Sequence, residues 1–366
     1  MHIKKRYILR SLLIIVGVIV FLGIAFTFKH YYRLEISNFR SIDGESHAYN
    51  IYPGASIDSI LTLMEADYDI GSRQDFKLHA RYMHFNYPEP GHYEFDDQLG
   101  NRELIERLKF GYQTPVKITW NNFVRTREDL AGKVTRHLLM DSLTLLNYLE
   151  NDAFLEQYNL NKETSRCLFI PNTYEVYWNI TPEQLFARMN KEYNAFWNEE
   201  RRAKAEAIGL TPVEVAIIAS IVEGESHNKN EMPVIASLYI NRVHKGMLLQ
   251  ACPTVKYAVG DFKLRRILYR HLAVDSPYNT YKNPGLPPGP IRCPAPTTLD
   301  MVLNAPKTDY LFMCASPELN NTHIFSSSYG SHAAAAVQYR NTMDTINWEN
   351  YDAMRKAERE AQKTND

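Results

Sequence analysis

Thr211-Pro212-Val213-Glu214-Val215-Ala216-Ile217-Ile218-Ala219-Ser220-Ile221-Val222-Glu223-Gly224-Glu225-Ser226 stands past the middle of the chain. Its first four residues form a capping box, with Thr211 at the cap, Glu214 three residues on and Pro212 at the first helical position. From Val215 to Val222 the helix is then apolar on every side, which places it in a core rather than on a surface. It runs directly into two carboxylates, Glu223 and Glu225. A helix C-terminus carries partial negative charge, and apolar surroundings strip water from a carboxylate. Both effects favour the protonated form and raise a Glu pKa, as a general acid near neutral pH requires. The competing reading is that both residues are simply solvated at a helix end.

Reading outward, Asn230 and Pro233 open a further helix through Val243, closed by Gly246. Residues 252–296 are rich in Pro, Gly, Tyr and Asn and are expected to be mostly loop. Tyr310–Ala315 and Thr322–Phe325 read as a hairpin, and His332–Thr342 as a closing helix. Upstream, Thr181-Pro182 starts a helix expected to run to about Ile208 and to stop at Gly209. Pro171-Asn172-Thr173-Tyr174 reads as a turn into this domain. Between residues 31 and 158 the pieces are smaller. Strands are expected at Phe39–Ile42, Ala48–Tyr52 and Val116–Trp120, with helices capped by Ser56, Asn101 and Thr126 and Gly111 ending the second. The fold class is α+β.

From Tyr7 to Phe28 the chain is almost wholly apolar, with Arg10 its only charge. Such a run spans the ~30 Å hydrocarbon core of a bilayer. Lys4, Lys5, Arg6 and Arg10 lie at or before its start and only Lys29 and Arg33 follow closely, so the N-terminus is expected in the cytoplasm and the rest outside. No small-x-small cleavage site follows the run, so an uncleaved anchor is expected rather than a signal peptide. Lys+Arg of 41 against Asp+Glu of 42 gives no general pull toward nucleic acid. The 24 tyrosines suit sugar binding, where the ring covers an apolar sugar face, or simply a Tyr-rich core. Cys167, Cys252, Cys293 and Cys314 contain no CxxC, and no pairing follows from their spacing.

Residues two apart on a helix point to different sides, so Glu223 and Glu225 are not a facing glycosidase pair, which needs ~5 Å across one sugar bond. One-carboxylate glycan cleavage has a natural solution. The acid protonates the glycosidic oxygen, the substrate's own hydroxyl attacks the anomeric carbon, and the same Glu takes that hydroxyl's proton.

Ala219–Glu225 resembles the signature of the YceG-like (MltG) endolytic murein transglycosylase family. So do Leu238–Arg242, Gly246–Gln250, Pro253–Tyr257, Ser276–Tyr281, Gly285–Ile291, His323–Ser326 and His332, with Gly91-His92-Tyr93 and Pro171–Tyr174 upstream. The order and spacing hold from about residue 50 to 340. The resemblance implies an N-terminal transmembrane helix, a LysM-like module and a mainly helical catalytic domain with a lysozyme-like Glu and a β-hairpin. The expected boundaries are a cytoplasmic tail at 1–7, the transmembrane helix at 8–28, the LysM-like region at 36–158, the catalytic domain at 159–345 and a polar tail at 346–366. It also implies a lyase that cuts the MurNAc–GlcNAc β-1,4 bond within peptidoglycan strands, leaves 1,6-anhydro-MurNAc ends and terminates strand elongation. Residue by residue, the catalytic Glu falls on Glu225, with Glu223 the runner-up. Many members carry Asp where this chain has Cys252, which puts one sugar-positioning group in doubt or marks a loop residue tolerant of exchange.

Peptidoglycan strands are the expected partner, with cell-wall synthase complexes beside them, at the inner (cytoplasmic) membrane. Asn241, Arg242 and Gln250 either bond sugar substituents or bond the core's backbone. Tyr278, Asn279 and Tyr281 are expected in the cleft, and His323 either bonds substrate or Glu225 or is structural. No metal or cofactor is expected: His79 and His84 lack a third ligand nearby, and HExxH, GxGxxG and GxxxxGK[ST] do not occur. The competing functions are a non-catalytic, membrane-anchored peptidoglycan-binding protein and a lysozyme-type hydrolase, which leaves reducing ends.

Overall fold

The computed structural model describes residues 2–264, 266–320 and 322–345, with side chains described from Arg10 onward. It is a mixed helix and strand structure. The chain divides into two compact units. One comprises Met1–Ile118, Val134–Asp141 and Thr173–Thr181, and the other Thr119–Lys133, Ser142–Asn172 and Pro182–Asp366.

The first unit begins with a single helix, His2–Glu35, of which Arg10–Glu35 is long and apolar enough to cross a membrane. Leu13, Ile14 and Phe21 stand exposed on it. The helix continues past Phe28 because its last turn is tied to the rest of the first unit. Arg33 pairs with Asp75, and Arg102 Nε donates to Glu35 Oε1 at 2.7 Å.

Two small antiparallel sheets follow. Phe39–Ser41 lies between Tyr68–Ile70 and Gln98–Leu99, and His47–Ile51 pairs with Gly91–Phe95 in the register Tyr49 to Tyr93. The helix Ile57–Met64 has the expected Ser56 cap, with Ser59 completing a capping box. Two expectations need correction here. Asn101 does not cap the next helix: Gly100 holds the cap, and Asn101 is the first residue of Asn101–Phe110. Its amide is engaged instead by Asn38 at 2.8 Å and His79 at 2.7 Å. Thr173–Val176 is not a turn but a strand paired with Val116–Thr119.

The second unit is mainly helical. The helix expected over 182–208 breaks in two, Pro182–Phe196 and Glu199–Ala207, because Asn198 caps the second by accepting from Arg201 N–H at 2.9 Å. Pro212–Glu225 forms as expected. Thr211 and Glu214 make both halves of the capping box, and every residue from Val215 to Glu223 is buried. The helices Glu199–Ala207, Met232–His244, Cys252–Val259 and Pro296–Leu303 pack around it. Val215, Ile218, Ile221 and Val222 are 0% exposed, and each such side chain contributes about 1.5–3 kcal/mol by leaving water. That outweighs the weak helix propensity of β-branched residues. Ser220 satisfies its hydroxyl internally, donating to Ile217 O and accepting Ile291 N–H at 3.0 Å, which fastens the Pro-rich loop to the helix.

Residues 252–296 are less irregular than expected, since Cys252–Val259 is a helix with Pro253 in its first turn, ended by Gly260 in the left-handed conformation. The hairpin pairs Phe312–Ala315 with His323–Ser326, Ala315 opposite His323. The closing helix is longer than expected, Tyr329–Thr345. The polar tail expected at 346–366 lies outside the described residues. All four cysteines are free, with Cys167 and Cys293 buried.

Candidate functional site

The Glu-Gly-Glu end of the buried helix sends its two carboxylates to different environments. Glu223 is 3% exposed, and its Oε1 accepts from Ala295 N–H at 2.8 Å and from the Thr298 hydroxyl at 2.6 Å. These partners sit at the start of the helix Pro296–Leu303, so Glu223 supplies the anionic cap that this helix's N-terminus favours. Gly224 is set by close approach. A Cβ there falls 2.5 Å from Pro253 Cβ, so only glycine lets the helix lie this near the Cys252–Val259 helix. That approach brings the backbone N–H of Cys252 to Glu225.

Glu225 is the last helical residue, with Ser226 as its C-cap. Tyr239, from the neighbouring helix Met232–His244, donates its hydroxyl to Glu225 Oε1 at 2.7 Å. Desolvation pushes the Glu225 carboxyl above its ordinary value. The Tyr239 hydroxyl, the His323 side chain, the Cys252 N–H and Arg242 each pull it back, and desolvation prevails. In turn, burial and the nearby carboxylate push the Tyr239 phenol far upward, so it remains a donor.

Three adjoining hollows meet at Glu225. One, of about 300 Å³, is walled by Phe123, Arg125, Lys256, Tyr257, Phe262 and Arg292. A second, of about 350 Å³, is walled by Tyr239, Arg242, Gln250, Tyr281, His323 and His332. A third, of about 650 Å³, runs between Ser226, Asn228 and the hairpin residues Thr322 and His323. Among the described residues lining them, Glu223 alone carries another carboxylate.

The remaining candidates divide. Asn241 donates its amide to Thr308 O and Tyr310 O, at 2.7 and 3.0 Å. Arg242 is 7% exposed, donates to the carbonyls of Leu311, Leu248 and Leu249, and lies over the Phe312 ring. Both therefore bond backbone, although the Arg242 side chain also borders the second hollow. Tyr278 is buried, donates to Glu163 Oε2 at 2.7 Å, and packs its ring 4.6 Å from Tyr257. Asn279 is fully buried, donating to Leu272 O and Val274 O and accepting Tyr281 N–H, so it shapes its own loop. Neither residue lines the three hollows: the Tyr278 hydroxyl is taken by Glu163, and the Asn279 amide satisfies its own loop.

Gln250 is exposed at the rim of the second hollow with φ +51°, and its N–H donates to Thr280 O. Tyr281 faces the same hollow, its hydroxyl 3.4 Å from Cys252 Sγ. Cys252 thus sits between the first and second hollows, beside Glu225. His323 is fixed to Glu231 through both its N–H and its Nδ1, at 2.7 and 3.1 Å.

Tyr239 and His332 also reach the second hollow, though their local sequence does not mark them as site residues. Tyr239 lies in an apolar helix face where a Tyr reads as core. His332 stacks on Phe312 at 5.4 Å, a contact made only once the closing helix folds back on the hairpin.

Known proteins resemble most of this chain. The model of the YceG-like family matches residues 49–338. The chain is 29% identical over 308 residues to the endolytic murein transglycosylase of Bacillus subtilis, a match covering 79% of this chain and 84% of the relative. It is 24% identical over 340 residues to the endolytic murein transglycosylase of two Streptococcus pneumoniae strains, covering 82% of this chain and 60% of those longer relatives. The crystal structure of a yceG-like protein from Listeria monocytogenes aligns with TM-score 0.51 at 26% identity, over 79% of this chain and 98% of that one. With a family model matched from residue 49 to residue 338 of 366, the chain belongs to the YceG-like family.

Proposed function

We propose that this chain is an endolytic murein transglycosylase, a lyase that cuts the MurNAc–GlcNAc β-1,4 bond inside peptidoglycan strands, with Glu225 as its single proton carrier. The observation that carries the reading is a desolvated Glu at the junction of three hollows whose other carboxylate, Glu223, is engaged by Ala295 and Thr298. The names of the relatives support the reaction, and hollows on more than one side of Glu225 suit a strand that continues past the cut.

The protonated carboxyl donates its proton to the glycosidic oxygen as the bond to the MurNAc anomeric carbon breaks. The MurNAc C6 hydroxyl attacks that carbon, and the carboxylate takes the hydroxyl's proton. The products are a 1,6-anhydro-MurNAc end and a free GlcNAc hydroxyl, no water is consumed, and Glu225 returns to its acid form. Tyr239 and the Cys252 N–H are placed to hold the carboxylate while it is charged. In this reading Gln250, Tyr281 and His323 touch sugar. Glu223, Asn241, Arg242, Tyr278 and Asn279 position the walls.

The LysM-like part, within the first unit, holds the strand, the second unit, which takes in Thr119–Lys133 and Ser142–Asn172 as well as the chain from Pro182, cuts it, and the cut terminates a nascent strand beside a synthase complex. The anchor crosses the inner membrane with its N-terminus in the cytoplasm, so a reporter fused after Asp366 is expected to be active only outside. A cytoplasmic signal contradicts that orientation.

The test of the reaction is mass spectrometry of purified peptidoglycan after digestion. Anhydro ends within strands support the proposal. Reducing ends indicate a hydrolase, and intact strands indicate a binding protein.

Tyr239→Phe removes a hydrogen bond that lowers the Glu225 pKa. The acid form then persists to higher pH, so the alkaline limb of the kcat/KM profile is expected to move upward. The rate at the optimum should fall ~10- to 100-fold, from loss of one hydrogen bond to a charged group at ~1.5–3 kcal/mol. An unmoved limb contradicts the assigned partnership.

A further inference from the structure

The first hollow has a charge that proton transfer at Glu225 does not use. Arg125, Lys256, Arg266 and Arg292 line it. Of the two carboxylates there, Glu225 is the proposed acid, and Glu223 has its Oε1 engaged by Ala295 and Thr298. Arg125, Lys256 and Arg266 make no ion pair among the described residues. Arg292 is 8% exposed. Its Nη1 has no hydrogen bond among the described residues and lies 4.0 Å from Glu223 Oε2. The Arg125 guanidinium stacks 4.9 Å from the Phe262 ring, which holds its donors in place.

Clustered guanidinium and ammonium groups around an opening attract anions and bond carboxylates in charge-assisted geometry. A sugar chain of GlcNAc and peptide-linked MurNAc is itself neutral. The anions that travel with it are the carboxylates of the stem peptides on the MurNAc lactyl groups. We propose that this hollow is a stem-peptide subsite, in which Arg125, Lys256, Arg266 and Arg292 take the peptide carboxylates of a MurNAc next to the cut. The inference rests on the reading that Glu225 cleaves glycan strands. It makes the enzyme selective for strands whose stems still carry free acids, and it leaves the exposed ring of Phe123 for a sugar face.

The test uses the full chain in detergent and soluble strands with free-acid stems. The comparison substrate is the same strands after carbodiimide coupling of the stem carboxylates to methylamine, which removes the charge and keeps the peptide. The wild type is expected to favour the free-acid strands by ~10-fold or more in kcat/KM, mainly through KM, as one or two charge-assisted bonds allow. In Arg125→Gln/Lys256→Gln that ratio should fall toward one. The single variant Arg266→Gln, at an exposed position, should lower it in part while leaving the melting temperature in place. A wild type that cuts both substrates equally, or folded variants that keep the full preference, overturns the subsite. If the wild type forms no anhydro ends on either substrate, the transglycosylase reading itself fails.

Discussion

Glu225→Gln is expected to lower the rate of anhydro-end formation by ~10²–10⁴-fold or more, because loss of general acid–base help alone is of that size and, in the proposed mechanism, one group serves both proton transfers. The amide keeps the size of the side chain and can still accept the Tyr239 hydrogen bond. The fold should not suffer. A carboxyl whose native pKa is raised stabilises the fold most fully below its unfolded value, near 4.5, and loses that contribution as pH rises through the native value. Glu225→Gln removes this penalty, so the variant should melt higher than wild type at neutral pH and converge with it in acid.

Glu223→Gln should behave the other way. It alters a buried group that caps a helix and faces Arg292, so stability falls by about 1–3 kcal/mol. Activity, measured below the melting transition, should fall far less than for Glu225→Gln. Rates and melting curves of the two variants check both statements. A dead Glu223→Gln with an active Glu225→Gln exchanges the roles, and two active variants remove the one-carboxylate mechanism.

Gly224→Ala is expected to be the most damaging change that touches no polar atom. In a helix interior, Gly to Ala ordinarily stabilises by about 1 kcal/mol. Here the new methyl meets Pro253 Cβ at 2.5 Å and Cγ at 2.8 Å, atoms of a ring fixed to the backbone rather than the end of a flexible chain. The clash decides the sign, at about 1–3 kcal/mol of overpacking. The two helices must part, and with them Glu225 and the Cys252 N–H. A displacement near 1 Å costs ~10²-fold in rate. A lower melting temperature together with a roughly hundredfold slower enzyme is the expected pair of results. A stabilised, fully active variant contradicts the close approach.

What could be read from the sequence was what neighbouring residues decide. The Thr211–Glu214 capping box, the all-apolar run after it, the Ser56 cap, the Gly111 stop and the 312–326 hairpin each depend on residues a few positions apart, and each appears in the fold. Distant partners hid the rest. Thr173–Val176 becomes a strand only because Val116–Thr119 lies beside it. Asn101 is drawn from the cap position by Asn38 and His79, far from it in sequence. Pro253 hid a helix because Pro at a first turn looks the same as Pro in a loop. Within the site, residue type was legible and direction was not: Tyr278 turns its hydroxyl to Glu163, while Tyr281, three residues on, faces the hollow beside Glu225. The division of Glu223 from Glu225 follows from helix geometry, but that Glu223 is the one tied up as a helix cap shows only once Ala295 and Thr298 are placed.

The central claim is that the MurNAc hydroxyl, not water, attacks the carbon released when Glu225 gives up its proton. Digestion of purified strands by the wild-type enzyme in water enriched in oxygen-18, followed by mass spectrometry of the new ends, tests it most directly. The account predicts anhydro-MurNAc ends that carry no heavy oxygen at any stage of the digest. Reducing MurNAc ends that carry one heavy oxygen from the first turnovers onward contradict it.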